Sequence, residues 1–113
     1  MRKIFSALIF SLIFCCCNKG KSDYKKITIT NFSEKRVDTL TPYKDKSYVA
    51  FYLKVKGHVN DSIKIQRDGY FDIVLSGQID TLINGDYYGD HKVIYIFNPY
   101  KATKGELEIE YSL

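Results

Sequence analysis

Residues 48–56 read YVAFYLKVK, and their pattern indicates how this part of the chain folds. Apolar side chains stand at every second position, and two lysines alternate with the last of them: Val49, Phe51, Leu53 and Val55 against Lys54 and Lys56. Successive side chains of a β-strand point to opposite faces of the sheet. The stretch is therefore predicted to be a strand with one buried face and one solvated face.

The same two-residue period returns in residues 106–111. Three apolar side chains alternate there with three glutamates: Leu107, Ile109 and Tyr111 with Glu106, Glu108 and Glu110. We expect the glutamates to lie on a solvated face and their repulsion to be offset by a lysine-bearing neighbour, the strand with Lys54 and Lys56. Residues 92–98 differ, because both alternating sets are apolar. That pattern is typical of a central strand covered on both faces.

Further strands are predicted where short apolar alternations occur, around residues 27–29, 36–41, 63–65, 71–75 and 79–83. Turn-forming residues separate the strands, at 57–61, 67–69, 76–77, 84–86, 98–99 and 104–105. Seven or eight short strands at this spacing predict an all-β domain over residues 25–113, built as a single antiparallel β-sandwich. The pattern is consistent with both an immunoglobulin-like and a jelly-roll topology.

A short apolar segment precedes this domain. Arg2 and Lys3 give the chain a positive start, residues 4–14 are apolar apart from two serines, and cysteines occupy positions 15, 16 and 17. A helix that spans a bilayer needs about 20 apolar residues. Because residues 4–14 are fewer, they predict the core of a signal peptide.

This segment resembles the signal of bacterial lipoproteins, in which signal peptidase II cuts before a cysteine that has received a diacylglycerol. The resemblance covers residues 1–20. The family motif has an aliphatic residue three positions before the cysteine and a small residue directly before it, and Cys16 follows Ile13 and Cys15 in that way. The resemblance implies a signal peptide over residues 1–15, lipidation of Cys16 with Cys17 as the alternative, and a lipidated tether over residues 16–24. It implies a membrane anchor in the cell envelope, outside the cytoplasm, with the outer membrane favoured over the inner.

The charge of the chain gives little reason to expect a nucleic-acid partner. Loss of Arg2 and Lys3 with the signal lowers the basic count from 17 to 15 against 13 acidic residues, and the formal net charge from +4 to +2. The remaining lysines are scattered and do not form one stripe. No nucleic-acid binding is therefore expected.

The loop over residues 84–91 is the predicted binding site. It contributes two carboxylates, two tyrosines and a histidine between two strands: Asp86, Tyr87, Tyr88, Asp90 and His91. Adjacent tyrosines offer apolar faces and hydroxyl groups, which suit protein partners and sugar rings alike. In the structural alternative, Tyr87 and Tyr88 cover one end of the domain and the other residues form turns.

Two metal hypotheses use the same loop, although no cofactor or metal is expected overall. Oxygen atoms of Asn84, Asp86 and Asp90 are of the type that Ca²⁺ prefers, but the flanking helices and bidentate glutamate of an EF-hand are missing. A transition metal would require the fold to bring His58 and His91 together, and these are the only two histidines of the chain.

The function expected from these features is binding without catalysis. The chain has no nucleophile elbow, phosphate loop or zinc-helix motif. We expect a lipid-anchored protein that binds another envelope or secreted protein, in the manner of an immunity or inhibitor-type lipoprotein. The alternative is a carbohydrate-binding module that presents Tyr87, Tyr88 and Tyr100 to a glycan.

Overall fold

The computed structural model describes residues 22–89 and 91–113. Within these ranges the chain forms six β-strands: β1 (Tyr24–Ile29), β2 (Arg36–Leu40), β3 (Ala50–Arg67), β4 (Phe71–Asp86), β5 (Val93–Asn98) and β6 (Gly105–Ser112). Each of these strands pairs with its neighbours in the antiparallel sense. The prediction of an all-β antiparallel domain is confirmed.

The six strands form one sheet in the order β1-β6-β3-β5-β2, with β4 paired to β3 outside this path. β3 pairs with β6 between Tyr52 and Val59, and with β5 between Lys64 and Arg67. Backbone hydrogen bonds of 2.9 and 2.8 Å join Ser22, just before β1, to Thr41, just after β2. This contact links the two outer strands, so the sheet closes on itself on that side.

The long strand β3 folds back at its middle. Phe51 and Arg67 stand near opposite ends of this 18-residue strand, and in a straight strand they would lie about 50 Å apart. The guanidinium carbon of Arg67 is nevertheless 4.5 Å from the centre of the Phe51 ring. The bend coincides with an irregular register between Val59 and Ile63, and β4 follows β3 on both sides of it. We call the two ends of the sheet the Arg67 end, where Phe51 meets Arg67, and the bulge end, at residues 59–63.

The core fills the space between the two arms of this bent hairpin and the strands beside them. The largest fully buried side chains come from four strands: Leu40, Phe51, Leu53, Val55, Ile63, Ile65, Val93, Tyr95, Phe97, Leu107, Ile109 and Tyr111. The rings of Tyr95 and Tyr111 stack with their centroids 4.3 Å apart. Burial of such side chains contributes roughly 1.5–3 kcal/mol each, which offsets the conformational entropy lost on folding.

Two predicted turns lie in the middle of strands, so the expectation of seven or eight short strands is wrong. Residues 57–61 belong to β3 and residues 76–77 belong to β4, and the predicted turn at 84–86 forms the end of β4. At the bulge, residues 60–62 of β3 stand against Ser76 alone, so both strands turn a corner without ending. Gly77, which suggested a turn, supplies a positive φ of 71° at this corner.

The finer expectation of a sandwich, immunoglobulin-like or jelly-roll, is not confirmed. A sandwich consists of two separate sheets packed face to face. All six strands of this chain belong instead to one hydrogen-bonded sheet, and the bent β3–β4 hairpin runs through both of its halves.

The expected charge pattern of the outer face is confirmed by the register of β3 and β6. Lys54 stands opposite Glu110, and Lys56 stands opposite Glu108. Lys26 of β1 adds an ion pair of 3.5 Å with Glu108 from the other side. The row of glutamates therefore lies between two rows that carry lysines.

β5 is an inner strand, as predicted, because it lies between β3 and β2. One of its alternating apolar sets is buried, and the other, Ile94 and Ile96, is half-buried. The placement of Val49 on the buried face was wrong. Val49 precedes β3, its side chain is 65% exposed, and its carbonyl oxygen accepts a hydrogen bond from the Tyr87 N–H.

The predicted signal peptide over residues 1–15 and both candidate lipidation sites, Cys16 and Cys17, lie outside the described residues. The tether over residues 16–24 is described from Ser22 onward, and β1 begins at Tyr24. Across residues 22–89 and 91–113, the chain forms no helix that is long and apolar enough to cross a membrane.

Candidate binding surfaces

Tyr87, the centre of the predicted binding loop, is part of the core. Its side chain is 2% exposed. Its hydroxyl group donates a 2.6 Å hydrogen bond to the carbonyl oxygen of His91, and its ring packs edge-on against Tyr48 with centroids 5.9 Å apart. The ring of His91 lies 4.9 Å from it. Tyr87 therefore holds the loop to the domain, as the structural alternative requires, and its ring is not available to a ligand on the surface.

The exposed part of this loop is Tyr88, whose side chain is 66% exposed. Asp86 is the last residue of β4 and is also exposed, as is His91. Asp90 lies outside the described residues. The stacking surface expected from two adjacent tyrosines is thus reduced to one ring, and a binding role for Tyr88 stays a prediction.

The two metal hypotheses have different outcomes. His58 lies beside the bulge, opposite Gln78 and Glu106, whereas His91 contacts Tyr87 at the Arg67 end. The structure does not bring the two histidines together. Among residues 22–89 and 91–113, no group of three or more histidine, cysteine or acidic side chains is placed to hold a metal. The calcium hypothesis depends partly on Asp90 and stays untested.

Tyr100 lies far from Tyr88. The Nζ atoms of Lys64 and Lys101 lie 4.4 and 5.4 Å from the centre of its ring. Lys64 directly follows the bulge, so Tyr100 belongs to the bulge end, and Tyr88 belongs to the Arg67 end. A glycan platform that uses both rings is not formed.

The long edge of β4 was not anticipated from the sequence. β4 has 16 residues, and β3 is its partner in every strand pairing that the described residues make. Its inward side chains are largely apolar but mostly half-buried: Phe71, Ile73, Leu75 and Ile83. On the outer face, Val74 and Leu82 are 54% and 62% exposed. We call the side of the Phe71–Asp86 backbone that faces away from β3 the β4 edge; at its last residue the Tyr70 hydroxyl donates a 3.4 Å hydrogen bond to the Asp86 carbonyl oxygen.

The β4 edge is acidic although the whole chain is basic. Asp72, Asp80 and Asp86 lie on its exposed face, and the strand contains no lysine, arginine or histidine. Asp80 stands opposite Lys56 of β3, while Asp72 stands opposite the neutral Gln66. Negative charge therefore accompanies the unpaired backbone near both of its ends.

A second unanticipated feature is the side chain of Arg67, which is 5% exposed. Its guanidinium carbon lies 4.1 Å from the ring centre of Tyr70, 4.5 Å from that of Phe51 and 5.8 Å from that of Tyr87. Nη1 is buried and has no hydrogen-bond partner among residues 22–89 and 91–113. The burial of Arg67 could have been predicted from the sequence, because Arg67 continues the inward alternation of Ile63 and Ile65.

Comparisons with known proteins identify no family. No family model matches the chain, and no curated protein matches it. Among solved structures, it is similar to a de novo designed double-stranded β-helix studied by solution NMR (TM-score 0.47, 10% identity, covering 79% of this chain and 97% of that one). It is also similar to crystal structures of FLHE (TM-score 0.37, 11% identity, 79% and 90% covered) and PirA (TM-score 0.43, 16% identity, 80% and 94% covered). Similarity at this level assigns no function to the chain.

Proposed function

We propose that this chain is a lipid-anchored binding protein of the cell envelope, without catalytic activity, and that it binds an extended segment of another envelope or secreted protein along the β4 edge. The observation that carries this proposal is the length of that edge. An unpaired strand presents a row of free N–H and C=O groups that templates pairing with a further strand. Strand addition of this kind is a common mode of peptide recognition.

The charge of the edge supports a basic partner over a second copy of the chain. An antiparallel pairing of two β4 strands centred on Ile79 would set Asp72 against Asp86, and one centred on Asp80 would set the two Asp80 side chains face to face. Like charges directly opposite each other destabilise a strand pair. A segment with lysine or arginine at alternate positions would place positive charge on the outer face beside the aspartates, and apolar side chains at the positions between would extend the inner face beside Phe71, Ile73 and Leu75.

The proposed anchor is compatible with access to this edge. Lipidation at Cys16 would leave residues 17–21 between the anchor and Ser22, a span of at most about 20 Å. Ser22 bonds to Thr41, which follows the end of β2 that pairs with Val93, so the chain enters the domain at the Arg67 end. β4 runs from that end to the bulge end and back, and the bulge-end part of its edge would face away from the membrane. An immunity or inhibitor-type lipoprotein is one kind of protein with this layout, by analogy alone.

The proposal is tested with short synthetic peptides and the full-length chain. A peptide of alternating lysine and valine should bind and should shift the backbone amide NMR signals of β4, while a glutamate–valine peptide should bind at least tenfold more weakly. Methylating the set of alternate backbone nitrogens of the lysine peptide that faces β4 should abolish binding, because strand addition uses those N–H groups, whereas methylating the other set should leave binding intact. Binding that survives methylation of each set in turn, or shifts confined to residues 87–92, would contradict the proposal.

Charge reversal supplies the matched control. Asp72→Lys combined with Asp86→Lys should weaken the lysine peptide at least tenfold. Glu34→Lys combined with Asp45→Lys makes the same change in charge at exposed positions outside β4, and should leave the affinity within about twofold. Equal loss in both double variants would mean that net charge, and not the β4 edge, attracts the peptide.

The carbohydrate alternative now depends on Tyr88, the exposed aromatic residue of the predicted loop. It predicts retention on a polysaccharide matrix that Tyr88→Ala abolishes and that the Asp72→Lys, Asp86→Lys variant leaves unchanged. Retention that Tyr88→Ala leaves unchanged and that the Asp72→Lys, Asp86→Lys variant abolishes would favour the β4 edge.

A further inference from the structure

We infer that the pocket at the Arg67 end is a binding site for a single carboxylate group, held by the Arg67 guanidinium. The pocket has a volume of about 190 Å³ and lies between the end of β3 and the start of β5. Its lining is formed by two short segments: Arg67, Asp68, Gly69 and Tyr70 from the first, and His91, Lys92, Val93 and Ile94 from the second. This site is separate from the β4 edge and does not depend on the function proposed for that edge.

The buried guanidinium of Arg67 has no partner for its charge within the described residues. Among residues 22–89 and 91–113, no hydrogen bond or ion pair is made by the guanidinium of Arg67. A buried charge without a hydrogen-bonded partner is strongly unfavourable, and buried charges in proteins are ordinarily paired. Arg36, in contrast, is half-exposed and still pairs with Asp38 at 2.9 Å. Arg67 is thus a buried cation that a bound anion would stabilise.

The surroundings of Arg67 fix its position and leave its N–H groups for a ligand. The turn after β3 closes with a 2.8 Å hydrogen bond from the Tyr70 N–H to the Arg67 carbonyl oxygen, which keeps the Tyr70 ring beside the guanidinium. Contacts with Tyr70 and Phe51 are of the cation–π type. Rings contribute no hydrogen-bond acceptor of the strength of a carboxylate oxygen. A guanidinium has five N–H donors in a planar fork that fits a carboxylate through two parallel bonds.

The charge of the pocket wall favours a monoanion. Arg67 and Lys92 are positive, Asp68 is negative, and His91 is counted as neutral at pH 7. The lining therefore carries a formal charge of +1, which one carboxylate neutralises. A phosphate dianion would leave one negative charge uncompensated next to Asp68. We therefore expect selectivity for carboxylate over inorganic phosphate.

The site is tested by titrating the full-length chain with sodium acetate at constant ionic strength, while the side-chain Nε–H signal of Arg67 and the backbone signals of Gly69 and Ile94 are followed by NMR. All three should shift and saturate together with acetate. Inorganic phosphate should require at least a tenfold higher concentration, and chloride should give no saturating shift. A response to acetate that does not saturate, or one that phosphate equals, would overturn the inference.

Three variants complete the test. Arg67→Met keeps an apolar side chain among the rings and should abolish the saturating response, with a dispersed amide spectrum as the check of folding. Lys101→Met removes a positive charge at the bulge end and should leave the acetate response within about twofold. Asp90→Asn tests whether the chain itself supplies the carboxylate, and acetate should bind this variant within about twofold of the native chain. Acetate binding in this variant alone, or in neither chain, would overturn the inference.

Discussion

At the scale of single residues, alternation predicts which way a side chain points but not what it meets. The period of Ile63 and Ile65 turns Arg67 inward. The three rings around Arg67 belong to separate segments. Tyr70 is close to Arg67 along the chain, but Phe51 and Tyr87 are far from it. Tyr87 shows the same limit, because its burial depends on a hydrogen bond to His91 and on contact with Tyr48. Such long-range contacts depend on the bend in β3, which the sequence pattern does not reveal.

Two buried tyrosines make the stability of the domain depend on pH in the alkaline range. Burial raises the pKa of Tyr95 to about 12 from its ordinary value of 10.0, and burial also raises the pKa of Tyr111, with a smaller contribution from Asp38. The folded state holds these protons more tightly than the unfolded state. The resulting stabilisation is complete below pH about 10 and is lost as the pH rises towards about 12.

The urea concentration at the midpoint of unfolding should therefore decrease as the pH rises from about 10 to about 12. The variant with both Tyr95→Phe and Tyr111→Phe should show a shallower fall. Its stability at pH 7 should change little, because neither hydroxyl group has a hydrogen-bond partner in the part of the chain that the structure describes. An equal alkaline loss in the native chain and this variant would assign the effect to lysines and exposed tyrosines.

At the scale of strands, the two-residue period predicted where strands occur but not where they end. Glycine and polar residues at 57–61 and 76–77 have the composition of turns, yet they form a bulge within two long strands. Turn residues and bulge residues are alike because both sites need positive φ angles or a close approach of two backbones. Local composition therefore cannot separate two short strands from one bent strand.

The close approach of β3 and β6 at the bulge end is testable at Gly57. This residue has a φ of 141°, and a Cβ atom on it would collide with the carbonyl oxygen of Glu106. Gly105 of β6 is in the reciprocal position against the carbonyl oxygen of His58. We expect Gly57→Ala to lower the free energy of unfolding by at least about 3 kcal/mol, since it adds backbone strain to a steric clash.

Gly69 is the matched control, because it also has a positive φ, 75°, but has no atom within 4 Å of the Cβ position. Gly69→Ala should cost only about 1–2 kcal/mol, the price of the backbone conformation alone. Urea unfolding of the two variants measures the difference. Similar losses would mean that the clash at Gly57 is relieved and that the strands are not held closely at this point.

At the scale of the whole molecule, composition and alternation predicted the all-β class, the inner position of β5 and the pairing of the glutamate strand with the lysine strand. They did not predict that one sheet would bend into two halves, since this depends on the fold of the β3–β4 hairpin. For the same reason the predicted site was placed on loop 84–91, while the longest unpaired surface, the β4 edge, was divided between two predicted strands.

The predicted anchor also concerns the whole molecule, since lipidation at Cys16 would determine which end of the domain faces the membrane. Labelling of the full-length chain with palmitate in a bacterial host should be lost in Cys16→Ser and retained in Cys15→Ser. Labelling lost in Cys17→Ser alone would move the site to Cys17. Absence of label on the native chain would contradict the lipoprotein hypothesis without affecting the β4 edge.

Whether β4 accepts a further strand can be measured by amide hydrogen exchange resolved along β4 in the full-length chain. Without a peptide, amides of β4 that bond to β3 should exchange slowly, and the alternate amides that face outward should exchange fast. Saturation with the lysine–valine peptide should slow the outward amides at least tenfold and leave the others unchanged. If the outward amides of Phe71–Asp86 still exchange fast while protection appears elsewhere, β4 is not the binding edge.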